Sequence, residues 1–312
     1  MRALITGASG FVGRHLGAHL LALGYEVVGL SAHHARLPDG VLALTADLLD
    51  ADLTARTLLA QQPDVIFHLA AQAYVPQAIA EPGRTLANNI LAQLNVLEAA
   101  RRLDPAPMIL VAGSSEVYGV VPPEQQPVKE EQPFRPGNAY AVSKVTQDML
   151  GLQYYLSYGL PVVRARAFNH IGPGQSDRFA VASFARQIAE AEAGRSQPLL
   201  LVGNLETGRD FLDVRDVVRA YVLMARHEFA GEVFNVASGV AHSVGELLDA
   251  LLADATIPIE VRQDPARMRP SEAPVIVGDA SRLTAATNWR PRIPLGRSLR
   301  DTLDEWRARI GG

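Results

Sequence analysis

An α/β fold, a doubly wound parallel sheet with a smaller C-terminal domain, is what this sequence predicts. Two observations carry the prediction. Apolar strand-like runs alternate with amphipathic helical runs through the first half of the chain, and a glycine-rich turn, TGASGFVG, directly follows the first strand. Alternation of this kind calls for helices covering both faces of a buried parallel sheet.

The elements follow in order. RALIT (2–6) is the first strand, and a helix runs from Val12 to Leu23 after the glycine turn. YEVVGL (25–30), VLALTAD (41–47), DVIFHLA (64–70) and PMILVAG (107–113) are the next strands, with helices near 50–61 and 84–103. NAYAVSKVTQDMLGLQYYLSYG is a long helix that Asn138 opens as N-cap, and PVVRARAF (161–168) is the strand behind it. Beyond residue 168 the rhythm breaks. FNHIGPGQS reads as a turn-rich loop, 178–193 as a helix and PLLLVGN as a strand. RDFLDVRDVVRAYVLMAR reads as a loop entering a helix, and GEVFNVAS as a strand that rejoins the first sheet. The expected division is 1–168 plus about 213–238 for the first domain, and about 169–212 plus 239–312 for the second. Five prolines between Pro122 and Pro136 mark a surface loop in the position of a lid.

Composition narrows the classes. The chain has 312 residues, 48% hydrophobic and 20% charged, the balance of an ordinary globular protein. A net charge of −4 gives no reason to expect nucleic acid or an anionic membrane as partner. With no cysteine, disulfides, thiolate nucleophiles and cysteine-type zinc sites are excluded. The eight histidines show no HExxH spacing, so no metal is expected, and His68 and His170 read as structural or contact residues. No GxSxG elbow supports a serine hydrolase. MRALITGASG carries no secretory h-region, and no window approaches a membrane span of roughly 18 apolar residues. A cytoplasmic protein is expected.

The glycine turn is the first functional signal. Gly7, Gly10 and Gly13 have GxxGxxG spacing at a strand–helix junction, with Phe11 and Val12 opening the helix. Glycine lets the backbone approach a pyrophosphate, and the helix start presents free N–H groups, so this reads as a Rossmann-type dinucleotide site. An acid at the end of the second strand would bind the ribose of NAD, whereas an arginine accommodates the 2′-phosphate of NADP. Here GLSAHHAR offers Ser31 and Arg36 and no acid, which tilts toward NADP(H), with NAD(H) the alternative. Asp47, next to Leu48, either meets the adenine edge or caps the helix behind it.

The second signal is YAVSK. Tyr140 and Lys144 lie four apart on one helix face. A nearby ammonium is expected to favour the phenolate and lower the tyrosine pKa from about 10. Ser114, just past the strand MILVAG, lies where ligands gather in such sheets. Glu116 in GSSEVYG is either a base or a bystander.

Glycine turn, strand-end serine and helical YxxxK, in this order, resemble the extended short-chain dehydrogenase/reductases over essentially the whole chain. The resemblance implies that Ser114 orients a substrate oxygen, Tyr140 is the general acid-base and Lys144 steadies tyrosine and nicotinamide ribose. By the same resemblance HLAAQAYV (68–75) sets Leu69, Ala70 and Ala71 beside the cofactor, and Asn89 supports the structure. It also implies a homodimer through two helices of each subunit.

FNHIGPGQ, GNLETGRDFLDVRDV, RMRPSE and WRPRIPLGRSLRDTL resemble the GDP-mannose branch of that family, shared by 4,6-dehydratases and GDP-4-keto-6-deoxymannose reductases. There Asn169, Arg209 and Arg269 would hold the nucleotide diphosphate, with Ser183 and Glu272 nearby. Arginine forks suit phosphate oxygens. Glu116 sits where a dehydratase would carry its base. Against that reading stand Ser114 in place of the usual threonine, RDF at 209–211 and the compact chain. The expectation is NAD(P)H-dependent reduction of GDP-4-keto-6-deoxy-D-mannose at C4 to GDP-D-rhamnose, or to its epimer GDP-6-deoxy-D-talose. The rivals are a GDP-mannose 4,6-dehydratase, a silent dinucleotide sensor and another nucleotide-sugar epimerase.

Overall fold

The computed structural model describes residues 1–268 and 275–311. The first half unrolls as the alternation predicts. β1 (Arg2–Thr6), α1 (Phe11–Ala22), β2 (Glu26–Ser31), β3 (Leu42–Thr45), α2 (Ala51–Gln61) and β4 (Val65–His68) lead into α3 (Val75–Ala80) and α4 (Pro82–Ala100). β5 (Met108–Ala112), α5 (Ala139–Tyr158) and β6 (Val162–Ala167) complete this part. Then come β7 (Asn169–Ile171), α6 (Ala180–Glu192), β8 (Leu199–Val202), β9 (Gly208–Asp213), α7 (Val214–Met224) and β10 (Val233–Val236). The chain closes with β11 (Ala241–Ser243), α8 (Val244–Ala253), β12 (Glu260–Gln263), β13 (Val275–Ile276), α9 (Ser281–Thr287) and α10 (Leu295–Gly311).

Among the described residues the main sheet has seven strands in the order β10-β6-β5-β4-β1-β2-β3, all parallel. Successive side chains point to opposite faces, so Ala3, Ile5 and Phe67 enter one core while Leu4 and Ile66 enter the other. GEVFNVAS does rejoin this sheet, as β10 beside β6. The strand order reverses between β1 and β4, which opens a crevice at the carboxyl ends of those strands. Leu283 and Trp289, late in the chain, pack into the core on the Ile5 side.

The second sheet is centred on β9, which runs parallel to β7 and β13 and antiparallel to β11. Two sequence expectations change here. RDFLD is a strand, not a loop, and Asn169 to Ile171 form a strand inside the supposed turn-rich loop. The charge of Asp210 hides the strand. Its fully buried carboxylate accepts from Ser238 Oγ at 2.6 Å and from the amides of Ser238, Gly239 and Gly278 at 2.8, 2.9 and 3.2 Å. A satisfied buried carboxylate of this kind ties three segments together. A third core gathers Ile171, Phe184, Leu247 and Leu303 beneath this part.

The proline-rich loop is pinned along its middle. Val128 is fully buried, donates its amide to Val277 O at 2.8 Å and accepts from Asp279 N at 2.8 Å. Among the described residues, no helix is long and apolar enough to cross a membrane.

Candidate active site

Gly7 follows β1 with φ +70°, and a Cβ there would lie 2.9 Å from Ala70 Cα, across the crevice at the end of β4. At Gly13 a Cβ would lie 2.4 Å from Gly7 O. Both positions therefore need glycine for close backbone approach. Gly10 caps α1 without a side-chain bond, and the first turn of α1 holds no acid. Among the described residues the amides of Phe11 and Val12 have no backbone partner, which with the positive end of the helix dipole fits a pyrophosphate. At the end of β2, buried Ser31 accepts the Ser9 amide at 3.2 Å. Arg36 is exposed nearby. This donor set, with no carboxylate between residues 31 and 36, suits a dinucleotide carrying a 2′-phosphate.

Asp47 does not cap α2. Its carboxylate accepts from Leu49 N at 2.9 Å, and Asp50 is the cap, accepting from Leu53 N at 2.9 Å. Leu48 is buried behind the same turn, and Leu69, Ala70 and Ala71 follow β4 half-buried. Asn89 clamps this segment to α5. It accepts from Gln72 N at 2.7 Å and donates to Gln72 O at 3.0 Å and Ser143 Oγ at 2.9 Å. Ser143 in turn donates to Tyr140 O at 2.7 Å, so the first turn of α5 is fixed from the far wall of the crevice.

Ser114, Tyr140 and Lys144 do come together. Asn138 caps α5 by accepting from Ala141 N at 2.9 Å, which sets Tyr140 in the first turn and Lys144 one turn on. Tyr140 is 9% exposed, Ser114 9% and Lys144 4%. Ser114 begins a 3-10 turn over Ser115–Tyr118, accepts from Glu116 N at 3.2 Å and is hydrogen-bonded to the Tyr140 side chain.

The electrostatics differ from the sequence expectation. Burial and the neighbouring Glu116 charge push the Tyr140 phenol up to about 12, against the Ser114 hydrogen bond, which acts the other way. Lys144 does not offset this, because its Nζ donates to Ala112 O at 2.7 Å and lies 5.9 Å from the Tyr140 ring centre. Burial brings Lys144 itself down to about 8. His68 lies in the same wall with Nδ1 2.9 Å from Thr6 Oγ1. Burial, and then the Lys144 charge, lower it to about 3.

Glu116 is held loosely by Asn138 Nδ2 at 3.5 Å, and its charge couples to Arg209 on β9. Arg209 Nη1 also donates to Gly208 O at 2.7 Å. Arg209 therefore lies within electrostatic range of Glu116, a neighbour that the sequence reading, which assigned Arg209 to the diphosphate, did not anticipate. Ser183 stands apart on α6, where its Oγ accepts from Gln187 Nε2 at 3.3 Å and Arg267 Nη1 at 3.4 Å. Asn169 is exposed on β7. Arg269 and Glu272 lie outside the described residues.

Sequence reasoning missed the support beneath this turn. Arg166 Nη1 donates to Tyr118 Oη at 3.0 Å and to Glu130 O at 2.8 Å, and Tyr118 donates to Asn235 Oδ1 at 2.7 Å. Arg164 and Arg166 both reach Asp148. Two signals were available. Asp148 continues the Tyr140–Lys144 face at i+4, and two arginines two apart in an apolar strand share one face and need a buried partner.

The comparisons with known proteins agree with this geometry. A family model described as GDP-mannose 4,6 dehydratase matches residues 4–302. A GDP-6-deoxy-D-mannose reductase of Pseudomonas aeruginosa is 41% identical over 309 residues, covering 99% of this chain and 98% of that one. The solved structure of RMD from Pseudomonas aeruginosa complexed with NADPH aligns with TM-score 0.87 at 41% identity, over 99% of each chain. A Thermus thermophilus UDP-glucose 4-epimerase in complex with NAD aligns with TM-score 0.87 at 32% identity, over 98% of this chain and 99% of that one.

Proposed function

The chain belongs to the GDP-mannose 4,6 dehydratase family, and from that premise we propose that it is an NADPH-dependent reductase of GDP-4-keto-6-deoxy-D-mannose, forming GDP-D-rhamnose. The 41% identity to a GDP-6-deoxy-D-mannose reductase supports the substrate, and the NADPH complex of its structural relative supports the cofactor. One arrangement on this chain supports the chemistry: the Tyr140 side chain is buried and hydrogen-bonded to Ser114 at the turn after β5, so the two hydroxyls can give one carbonyl oxygen a hydrogen bond and a proton.

In this reading a reduced nicotinamide bound along the glycine turn supplies hydride to C4. Ser114 donates a hydrogen bond to the C4 oxygen, and Tyr140 Oη gives that oxygen its proton as negative charge develops. Lys144, anchored on Ala112 O, presents its remaining N–H groups to the nicotinamide ribose. Arg209 meets the diphosphate, with Asn169, Ser183, Arg269 and Glu272 completing the substrate side. Residues 1–168 with about 213–238 hold the cofactor, and 169–212 with 239–312 hold the sugar nucleotide. Glu116 is a charge beside Tyr140 rather than a base. The protein works in the cytoplasm as a homodimer, and the pairing of subunits is supported by Leu91 on α4 and Met149 and Leu156 on α5, which are 45%, 38% and 70% exposed.

Purified protein given GDP-4-keto-6-deoxymannose should consume NADPH, and given GDP-mannose should make no keto sugar. Formation of keto sugar from GDP-mannose without net cofactor use would overturn the reading and make Glu116 the base. Proton couplings at C4 of the product separate the rhamnose from the talose epimer.

A further inference from the structure

The adenosine ribose of a dinucleotide lies at the end of the second strand when its pyrophosphate meets the glycine turn. In this chain that corner is a joint between three elements. Ser31 Oγ, closing β2, accepts the amide of Ser9 at 3.2 Å. Arg14, in the second turn of α1, donates Nε to the carbonyl oxygen of the same Ser9 at 3.0 Å. Ser9 is thus held on both sides, by the strand that ends at the ribose and by a guanidinium from the helix.

Only one nitrogen of that guanidinium is used. Arg14 is exposed, and among the described residues Nη1 and Nη2 make no hydrogen bond or ion pair. No acid stands in the first turn of α1 or between residues 31 and 38 to neutralise it. Among the described residues the other cation of the corner, Arg36, has only a 4.0 Å contact with the equally exposed Asp39. An exposed arginine is ordinarily a solvated charge. This one is fixed by its Nε bond at the Ser9–Ser31 joint, with two donors left over.

We infer that Arg14 is a specificity-determining residue that reads the 2′-phosphate of the cofactor together with Ser31 and Arg36. A phosphate dianion takes charge-assisted hydrogen bonds from both terminal nitrogens of such a fork, whereas a free 2′-hydroxyl gains little from a second cation. The inference rests on the reading that a dinucleotide occupies the glycine turn.

The test is calorimetric and needs no turnover. Titrating adenosine 2′,5′-bisphosphate and 5′-AMP into the protein compares two ligands that differ only in the 2′-phosphate. Arg14→Ala should weaken the bisphosphate about tenfold or more, as expected for losing charge-assisted bonds, and leave 5′-AMP within about twofold. Arg14→Lys should recover part of the difference. An unchanged ratio, or equal weakening of both ligands, would overturn the inference and leave Arg14 a brace of the glycine turn. If the wild-type protein itself bound the bisphosphate no better than 5′-AMP, the NADPH reading would fail first, and the role of Arg14 with it.

Discussion

Arg166 grips Asp148 with two nitrogens, Nε lying 2.8 Å from Oδ2 and Nη2 3.2 Å from Oδ1. Arg164 Nη1 shares the second oxygen at 2.9 Å, so one carboxylate on α5 serves two guanidiniums on β6. All three side chains are nearly solvent-free. Asp148→Ala would strand two buried cations and should cost about 3–5 kcal/mol. Tyr118→Phe removes one hydroxyl between Arg166 and Asn235 and should cost about 1–3 kcal/mol. Urea unfolding midpoints measure both, and a neutral Asp148→Ala would show that the cluster contributes no net stability.

Tyr140→Phe should lower turnover by about a hundredfold or more, the usual worth of a positioned acid, with nucleotide binding retained. The pH profile reports the lysine. Burial lowers Lys144 to about 8, so kcat/KM should be level below that pH and fall above it as the ammonium is lost. Lys144→Arg keeps its charge and should remove the alkaline fall even at a reduced rate. An unaltered fall in that variant would assign it to another group.

His68 makes the fold acid-sensitive. Its folded pKa of about 3 lies below the ordinary value of 6.5. Neutral His68 therefore stabilises the protein fully above pH 6.5, and that contribution is lost as the pH falls toward 3. Linkage puts the loss at about 2 kcal/mol between pH 7 and pH 5. Comparing urea midpoints at the two pH values, His68→Gln should show a correspondingly smaller drop than wild type. Equal drops in the two proteins would place the sensitivity elsewhere.

Gly13→Ala tests the glycine turn. The added methyl would meet Gly7 O at 2.4 Å and Ala8 Cα at 2.7 Å, all backbone that must move. Dinucleotide affinity should fall tenfold or more, with thermal stability lowered by only a few degrees. Fluorescence titration with NADPH measures the first and a melting curve the second. Retained affinity would mean that the pyrophosphate does not depend on this turn.

Much of this was legible in the sequence, for physical reasons. β1, β2, β4 and β5 are buried on both faces and read as near-continuous apolar runs. Ser114, Tyr140 and Lys144 were legible because a strand end and a helical i,i+4 pair have fixed geometry. β9 was not, because Asp210 turns a charge inward and meets its partners 28 and 68 residues away. The high phenol pKa of Tyr140 also escaped, since spacing cannot show that Lys144 points at a backbone carbonyl. The capping role allowed for Asp47 went to Asp50, three residues along, where the helix actually begins.

β9 draws its partners from residues 169–171, 241–243 and 275–276. That scatter sets a timetable for synthesis. Tyr140 leaves the ribosome long before Ile276, a delay on the order of ten seconds at typical elongation rates. During that interval the main sheet has its glycine turn and Tyr140, while the second sheet around β9 is still short of a strand. β6 also waits as a bare sheet edge until β10 arrives at residue 233.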